Sequence, residues 1–534
     1  MTHRVVWLLA GLAVLFFVMA GLVLLPYPGA QYDEVLFSGV YYGQPSAEYY
    51  VETPWGNVAT MLMSYLGALK AWVWAPVLYL LGPSHATLRV PGLLIAAASL
   101  VLFFLAARRL VPAWAALLGL ALLATDTNYL LSAVFDWGPV ALQHLFWCGV
   151  LYAGVRYAQE KKPLWLGVAS ACVGLALWDK AICLWLILGF SAVLLIFYAK
   201  PLFALARQPR LAGVAALSFA LGALPFLAYN EQNAMKTFAA NSGWTSTEYK
   251  GKIWLLDRIM AGDGLFGYLV RYDPAPAKDI TPLERASVAV SRWTHEPHTS
   301  LQQALVASVL LALPVLAFGA YGRLMLFFAG GGLLSLFLMF STPGAGGSVH
   351  HDILIWPLPQ LLIALAAASL AEWAPCRGVK IAVVACALAA ATNIAVTNQF
   401  LAQMVTCGPT VIWSDAIGPL VDVVKQHKDS AIFATEWGIL EQFRFLGRGR
   451  IGYFAGSDGV VRELDRPEHQ QYVRRALNTP NTLFIGHAKT AQVFPDTNEK
   501  VDRFAAAEGF TKRVLAAVPD RHGRPIFEVT EYVK

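Results

Sequence analysis

Eleven apolar runs in the first 400 residues limit this chain more than any other feature. They lie near 5–25, 88–107, 112–130, 138–158, 164–179, 181–199, 211–229, 301–318, 321–341, 353–373 and 380–399. A helix crosses the hydrocarbon core with about 20 apolar residues. The runs therefore predict a polytopic α-helical membrane protein with about 11 transmembrane helices plus interfacial helices. Only 14% of the chain is charged, against about a quarter in soluble domains, and residues 401–534 hold an ordinary soluble share. The chain thus divides into a membrane domain, 1–400, and a C-terminal soluble α/β domain, 401–534. The stretch Val5 to Leu25 is longer than a secretory h-region, and Pro26-Tyr27-Pro28 makes a poor cleavage site. It reads as a retained first helix.

The net charge is +6, but the excess sits in short loops, which gives no case for a nucleic-acid partner. Arg108 and Arg109, then Arg156, Lys161 and Lys162, then Lys200, Arg207 and Arg210 occupy alternate loops; Arg323, Arg377 and Lys380 continue the series. The positive-inside bias places them in the cytoplasm with Arg4 and the N-terminus. Loops 26–87, 126–138, 230–300 and 341–352, and the C-terminal domain, are then extracytoplasmic. The short loops and the lack of a retention motif suggest a bacterial inner membrane. Counting 58–82 as a span would put Arg4 opposite Arg108, and Lys70 sits within it. That segment is expected to be a pair of re-entrant or interfacial helices broken near Pro76.

In the tail, spacing predicts a helix over Asp415 to His427 and strands at Ser430 to Ala434 and Thr482 to Ile485. A helix over 499–508 and a hairpin through Asp520-Arg521-His522-Gly523 into Ile526 to Val529 follow. Of six cysteines only Cys407 falls outside the spans and the cytoplasmic loops. The tail therefore holds no disulfide, and no spacing suggests a zinc site.

The strongest chemical signal is Tyr32-Asp33-Glu34, just outside the first helix. Adjacent carboxylates at a membrane surface are either a solvated pair or in use. Beside a sugar acceptor, one of them can take the acceptor's proton as it attacks an anomeric carbon. Glu52-Thr53-Pro54 returns in the same loop, Arg89-Val90-Pro91-Gly92 opens the second span, and Asp126 and Phe135-Asp136-Trp137-Gly138-Pro139 follow outside. Asp136 is otherwise a helix N-cap or the partner of a nearby cation. Trp178-Asp179-Lys180-Ala181 forms a tight outside corner, where Lys180 either binds a lipid phosphate or pairs with Asp179. His350 and His351, after a glycine-rich stretch, can donate to a phosphate, bind a divalent metal with His295, His298 or acids, or serve the fold. Arg271 and Arg258 are phosphate ligands or surface charges. Trp55, Trp137 and Trp244 either stack on a sugar or anchor at the interface. Thr435-Glu436-Trp437-Gly438 and the Arg444 to Arg450 stretch show no nucleophile–base arrangement, and suit acceptor positioning or packing over the membrane cavity.

In this order and sidedness, these motifs resemble the GT-C lipid-linked-sugar transferases that include the protein O-mannosyltransferases and lipid A aminoarabinose transferases (glycosyltransferase family 39-like). The resemblance covers roughly residues 1–370. It implies a sugar moved from a polyprenyl-phosphate donor to a lipid, glycan or protein acceptor outside the cytoplasm, by a single inverting displacement. Asp33 matches the family's base and Glu34 its neighbour. Glu52 matches the acid of a Glu-Lys-Pro element whose lysine is here Thr53, and Asp136 matches the acid of the second loop. The family carries a lysine like Lys180 and a His or Tyr near His350. No nucleotide site is expected, since no P-loop is present. The rival readings are a lipid-linked-sugar carrier or flippase, and a non-catalytic anchor for the tail. The first lacks inverted repeats, and the second leaves the long outside loops unexplained.

Overall fold

The computed structural model describes every residue except 1, 43–46, 55, 242, 428–429, 451–452 and 455–456. All eleven apolar runs fall on helices. Seven of these are long and apolar enough to cross a membrane: His3–Leu24, His85–Leu110, Ala181–Ala206, Pro209–Gln232, Gly322–Phe340, Val349–Trp373 and Pro375–Thr406. An eighth is the pair Ala113–Thr125 and Thr127–Val134, bent by 55°. Asp126 sits at the bend and caps the second helix through the Tyr129 amide at 2.9 Å. Pro163–Asp179 and Leu301–Leu316 are shorter apolar helices. Val140–Glu160 has the length but carries Gln143, His144, Arg156 and Glu160. Large apolar side chains such as Ile196, Leu311 and Phe318 stand 75%, 83% and 91% exposed. On helices like these, that is a lipid-facing surface.

The segment 58–82 is not a re-entrant helix pair. Strands Tyr49–Thr53, Gly56–Met63 and Leu66–Gly67 form a three-stranded antiparallel sheet, and a single helix, Leu69–Leu81, follows with Pro76 inside it. A short apolar run fits a strand as well as a buried helix, and here Thr60, Met61 and Leu62 are buried while Gly56, Asn57 and Val58 are open. One consequence matters for the site. Lys70 lies in the first turn of the helix, beside the sheet, and not at mid-bilayer.

The last membrane helix runs to Thr406, past the expected boundary at 400. Beyond it is a five-stranded mixed sheet, ordered Tyr453–Phe454, Ile432–Ala434, Leu483–His487, Pro525–Val533, Thr511–Pro519. The first three strands pair in parallel and the hairpin closes antiparallel. Strand alternation splits the core. Ile432 and Ala434 pack with Val421 and Phe443 on one face, and Phe433 packs with Val501 on the other. The tail is fastened to the membrane part by polar contacts: Arg521 to Glu284 at 2.8 Å, the Gly29 amide to the Trp413 carbonyl at 2.9 Å, and Arg524 to Asp273 at 3.4 Å.

Candidate active site

The site begins one turn beyond the first helix. Gln31 caps the short helix Tyr32–Val35, its side-chain oxygen accepting from the amides of Asp33 at 2.7 Å and Glu34 at 3.0 Å. The turn sends the two carboxylates in different directions. Glu34 is buried and takes both arms of Arg89, at 2.7 and 3.0 Å. The rest of that guanidinium donates to the carbonyls of Leu25, Tyr27, Pro28 and Gly29. Arg89 therefore ties the end of the first span, the acidic turn and the second span into one knot, and Glu34 is committed to it. Asp33 is half-buried, and among the described residues its carboxylate is touched only by the Gln31 amide, at 3.4 Å. Burial raises its carboxyl above the ordinary value, against the Gln31 hydrogen bond and the charge of Lys180. The phenols of Tyr65 and Tyr268 are also raised, first by burial and then by the Asp33 charge.

Opposite Asp33 is a buried cluster of two lysines and two further aspartates. Lys70 pairs with Asp136 at 3.1 Å and also donates to the Asp136 carbonyl. Asp136 uses its other oxygen to cap the helix Val140–Glu160, accepting from Val140 at 2.7 Å and Ala141 at 3.2 Å. Asp136 is thus a cation partner and also accepts from the helix's first amides, although Pro139 is the N-cap residue. Lys180 is 2% exposed, and its ammonium has no hydrogen-bond partner among the described residues. Burial pushes its pKa down to about 8, with Asp136, Asp179 and Asp33 working to hold the proton. The small sheet fixes this corner, for Leu66 bridges Lys180 and the Ala181 amide donates to the Tyr65 carbonyl at 2.9 Å. Asp179 accepts from Gln143 at 2.9 Å, so it is not a dedicated partner for Lys180. A buried ammonium without a partner is a poor structural element and a ready anion site.

His350 faces the same point. A Cβ at Gly138 would lie 2.9 Å from the Lys180 ammonium and 3.4 Å from the His350 ring. Trp137 donates its indole N–H to His350 Nδ1 at 2.8 Å. Indole nitrogen only donates, so Nδ1 is the accepting nitrogen and a neutral His350 carries its proton on Nε2. The ring is then a fixed donor. His351 stacks edge-on against it at 4.3 Å, and its buried Nδ1 has no partner among the described residues. Around this polar core stands an aromatic wall of Trp137, Tyr268 and Trp413, with ring centroids 5.4 to 6.1 Å apart, while Trp437 lies against Tyr32 at 5.0 Å. Trp413 and Trp437 come from beyond the last span, so the tail forms part of the wall.

The remaining candidates suggested by the amino-acid sequence lie elsewhere. Glu52 is an exposed residue of the strand Tyr49–Thr53, paired with Asn57, and Thr53 bonds Gly56 across the turn. Glu-Thr-Pro thus stands at a hairpin end, and the lysine that this loop brings to Asp136 is Lys70. An isolated lysine in an apolar stretch is the signal that marks it. Arg271 pairs with Asp273 at 2.8 Å, and Arg258 with Asp263. Trp244 is 68% exposed and rests on Phe337, as an interfacial anchor does. Trp55 lies outside the described residues. Among the described residues no three His, Cys, Asp or Glu side chains gather as a metal site. Tyr268 and Trp413 carry no sequence signal, since nothing local marks an aromatic ring that becomes functional only by docking.

A family model described as dolichyl-phosphate-mannose-protein mannosyltransferase matches residues 67–228. Among solved structures the chain is similar to ArnT from Cupriavidus metallidurans bound to undecaprenyl phosphate. The identity is 12% and the TM-score 0.58, over 99% of this chain and 98% of that one. The apo state of the same protein gives 13% and 0.56 over the same shares. The oligosaccharyltransferase of Archaeoglobus fulgidus in the apo form gives 10% and 0.51, over 91% of this chain and 70% of that one. No match is found among curated protein sequences. At these identities the structural likeness is one of fold. The chain has the GT-C fold with a C-terminal α/β domain, as the resemblance implies.

Proposed function

We propose that this chain is an integral-membrane glycosyltransferase that moves a sugar from a polyprenyl-phosphate donor to an acceptor hydroxyl or amine on the extracytoplasmic face. The observation that carries the reading is an uncommitted carboxylate, Asp33, set opposite an unpartnered buried ammonium, Lys180, at the mouth of a membrane domain. The family-model match and the GT-C fold support it. The loop arginines support a cytoplasmic N-terminus and an outward site.

In the reaction, Asp33 accepts the acceptor's proton while the acceptor atom bonds to the anomeric carbon. The bond from that carbon to the phosphate oxygen breaks, and polyprenyl phosphate leaves with the electron pair. Charge grows on the phosphate as it departs, where Lys180 and the Nε2–H of His350 are already oriented. Lys70, held by Asp136, adds a second positive charge. One displacement inverts the anomeric centre. An apolar groove of about 500 Å³ between Val140–Glu160, Ala181–Ala206 and Gly322–Phe340 ends at Leu354 to Leu358, just after the paired histidines. Its lining suits an isoprenoid chain.

The test is transfer by purified protein from a panel of radiolabelled polyprenyl-phosphate sugars, with membrane extract as acceptor and Asp33→Asn beside wild type. One donor should be consumed by wild type, and bound but not turned over by the variant. Normal turnover by Asp33→Asn removes it as the base. No turnover of any donor by wild type removes the transferase reading.

A further inference from the structure

A second cavity, sharing no lining residue with the Asp33 site, lies where the first loop re-enters the membrane. Tyr41, Tyr42, Pro76, Leu78, Tyr79 and Arg448 are among its walls, and it encloses about 590 Å³. Its floor is the helix Leu69–Leu81, which leaves Tyr79, Leu80 and Leu81 exposed by 90%, 74% and 72%. Three such side chains in a row are unfavourable in water. They precede by only a few residues the helix His85–Leu110, which descends through the bilayer. The cavity therefore opens at head-group level.

Among its described lining residues the one cation, Arg448, comes from the tail. The Arg448 guanidinium rests on Gly82, where a methyl group would lie 2.3 Å from its nitrogen, and Gly82 itself has φ 74°. Neighbouring Gly449 sits so close to Tyr42 that a Cβ there would lie 2.1 Å from the Tyr42 carbonyl oxygen. The two glycines permit the tail to reach the loop and deliver the arginine into the cavity. No carboxylate pairs with Arg448 among the described residues. Tyr42 bonds the Leu78 carbonyl at 3.3 Å, which leaves Tyr41 and Tyr79 hydroxyls for a ligand.

We propose that this cavity binds the phosphorylated head group of an anionic amphiphile from the adjoining leaflet. Arg448 and the tyrosine hydroxyls hold the phosphate, and Leu80 and Leu81 lie along the acyl chains. Charge complementarity favours an anion, since an unpaired guanidinium is a planar donor suited to phosphate. The exposed apolar floor favours a lipid over a soluble phosphate compound. The inference does not rest on the transferase reading.

The experiment measures phosphatidylglycerol retained by the purified full chain, by native mass spectrometry after exchange from mixed phosphatidylglycerol–phosphatidylcholine nanodiscs. Arg448→Gln should weaken retention about tenfold, the loss of a charge-assisted phosphate contact. Tyr79→Ala, at a fully accessible position, should weaken it less, and Asp33→Asn and Lys180→Met should leave it unchanged. Retention by Arg448→Gln equal to wild type overturns the proposal. Loss in Lys180→Met but not in Arg448→Gln also overturns it, by assigning the lipid to the Asp33 site. If inorganic phosphate binds the lipid-stripped protein as tightly as the lipid does, a soluble phosphate compound is the ligand and the lipid assignment fails.

Discussion

The knot between Glu34 and Arg89 separates two carboxylates that are neighbours in sequence and makes opposite demands on their variants. Arg89 is fully buried, with two bonds to Glu34 and four to carbonyls. Removing it in Arg89→Met leaves a buried carboxylate without its counter-charge, a loss of about 3–5 kcal/mol. At about 2 °C per kcal/mol for large domains, the melting temperature should fall by roughly 6–10 °C. Glu34→Gln keeps an acceptor of the same shape but places an amide donor against the guanidinium, for a loss of about 1–3 kcal/mol. Once Arg89 is gone, neutralising Glu34 removes the orphaned charge. The double variant should therefore be no less stable than Arg89→Met, a coupling of about 1–3 kcal/mol. Thermal unfolding of the four proteins followed by tryptophan fluorescence measures the cycle. Transfer assayed below every midpoint should survive in Glu34→Gln and vanish in Asp33→Asn. Losses that add to within about 0.5 kcal/mol would refute the knot, and return Glu34 to the list of reacting groups.

The pH profile of transfer should be bell-shaped. Asp33 works unprotonated and its pKa is raised by burial, so activity is lost as pH falls through a value above the ordinary carboxylate range. Lys180 works protonated and its pKa is lowered to about 8, so activity is lost as pH rises through that value. Lys180→Arg should carry the alkaline limb out of range, because guanidinium stays charged; an unmoved limb would refute the assignment. Gly138→Ala sets a methyl group 2.9 Å from the Lys180 ammonium, displacing a flexible end and not the backbone. Turnover should fall at least tenfold with the melting point held to within a degree or two, and an equal fall in stability would show packing instead. Trp137→Phe leaves His350 Nδ1 with only the Ser348 hydroxyl, 2.8 Å away, which can accept as well as donate and so lets the proton move to Nδ1; kcat should fall about tenfold, roughly one lost hydrogen bond, with little change in donor KM. An unchanged kcat would remove His350 from the leaving-group side.

Much of this architecture is legible in the residues, for a physical reason in each case. Apolar run length fixes a span because the bilayer demands it, and every run is a helix. The tail's helix at 417–426 and its closing hairpin are marked by periodicity and turn residues. Asp33 stands out because carboxylates are conspicuous beside a membrane. The departures share one cause. Residues 56–63 differ from expectation because a short apolar segment does not declare its own period, so the hairpin and its turn stay hidden. Lys70, Tyr268 and Trp413 reach the site through docking of distant segments, and no local pattern encodes that. The different fates of Asp33 and Glu34 depend on Arg89, 55 residues from Glu34.

The aromatic wall has a consequence for biogenesis. Trp413 and Trp437 leave the ribosome long after the turn at residues 31–35, yet Trp437 packs on Tyr32 and Trp413 on Trp137. During insertion, the acidic turn and the lysine corner exist before the surface that encloses them. A half-made chain thus presents an open cleft, which on the proposed function would hold its sugar donor poorly. Synthesis of residues 413–437 is itself the step that closes this cleft.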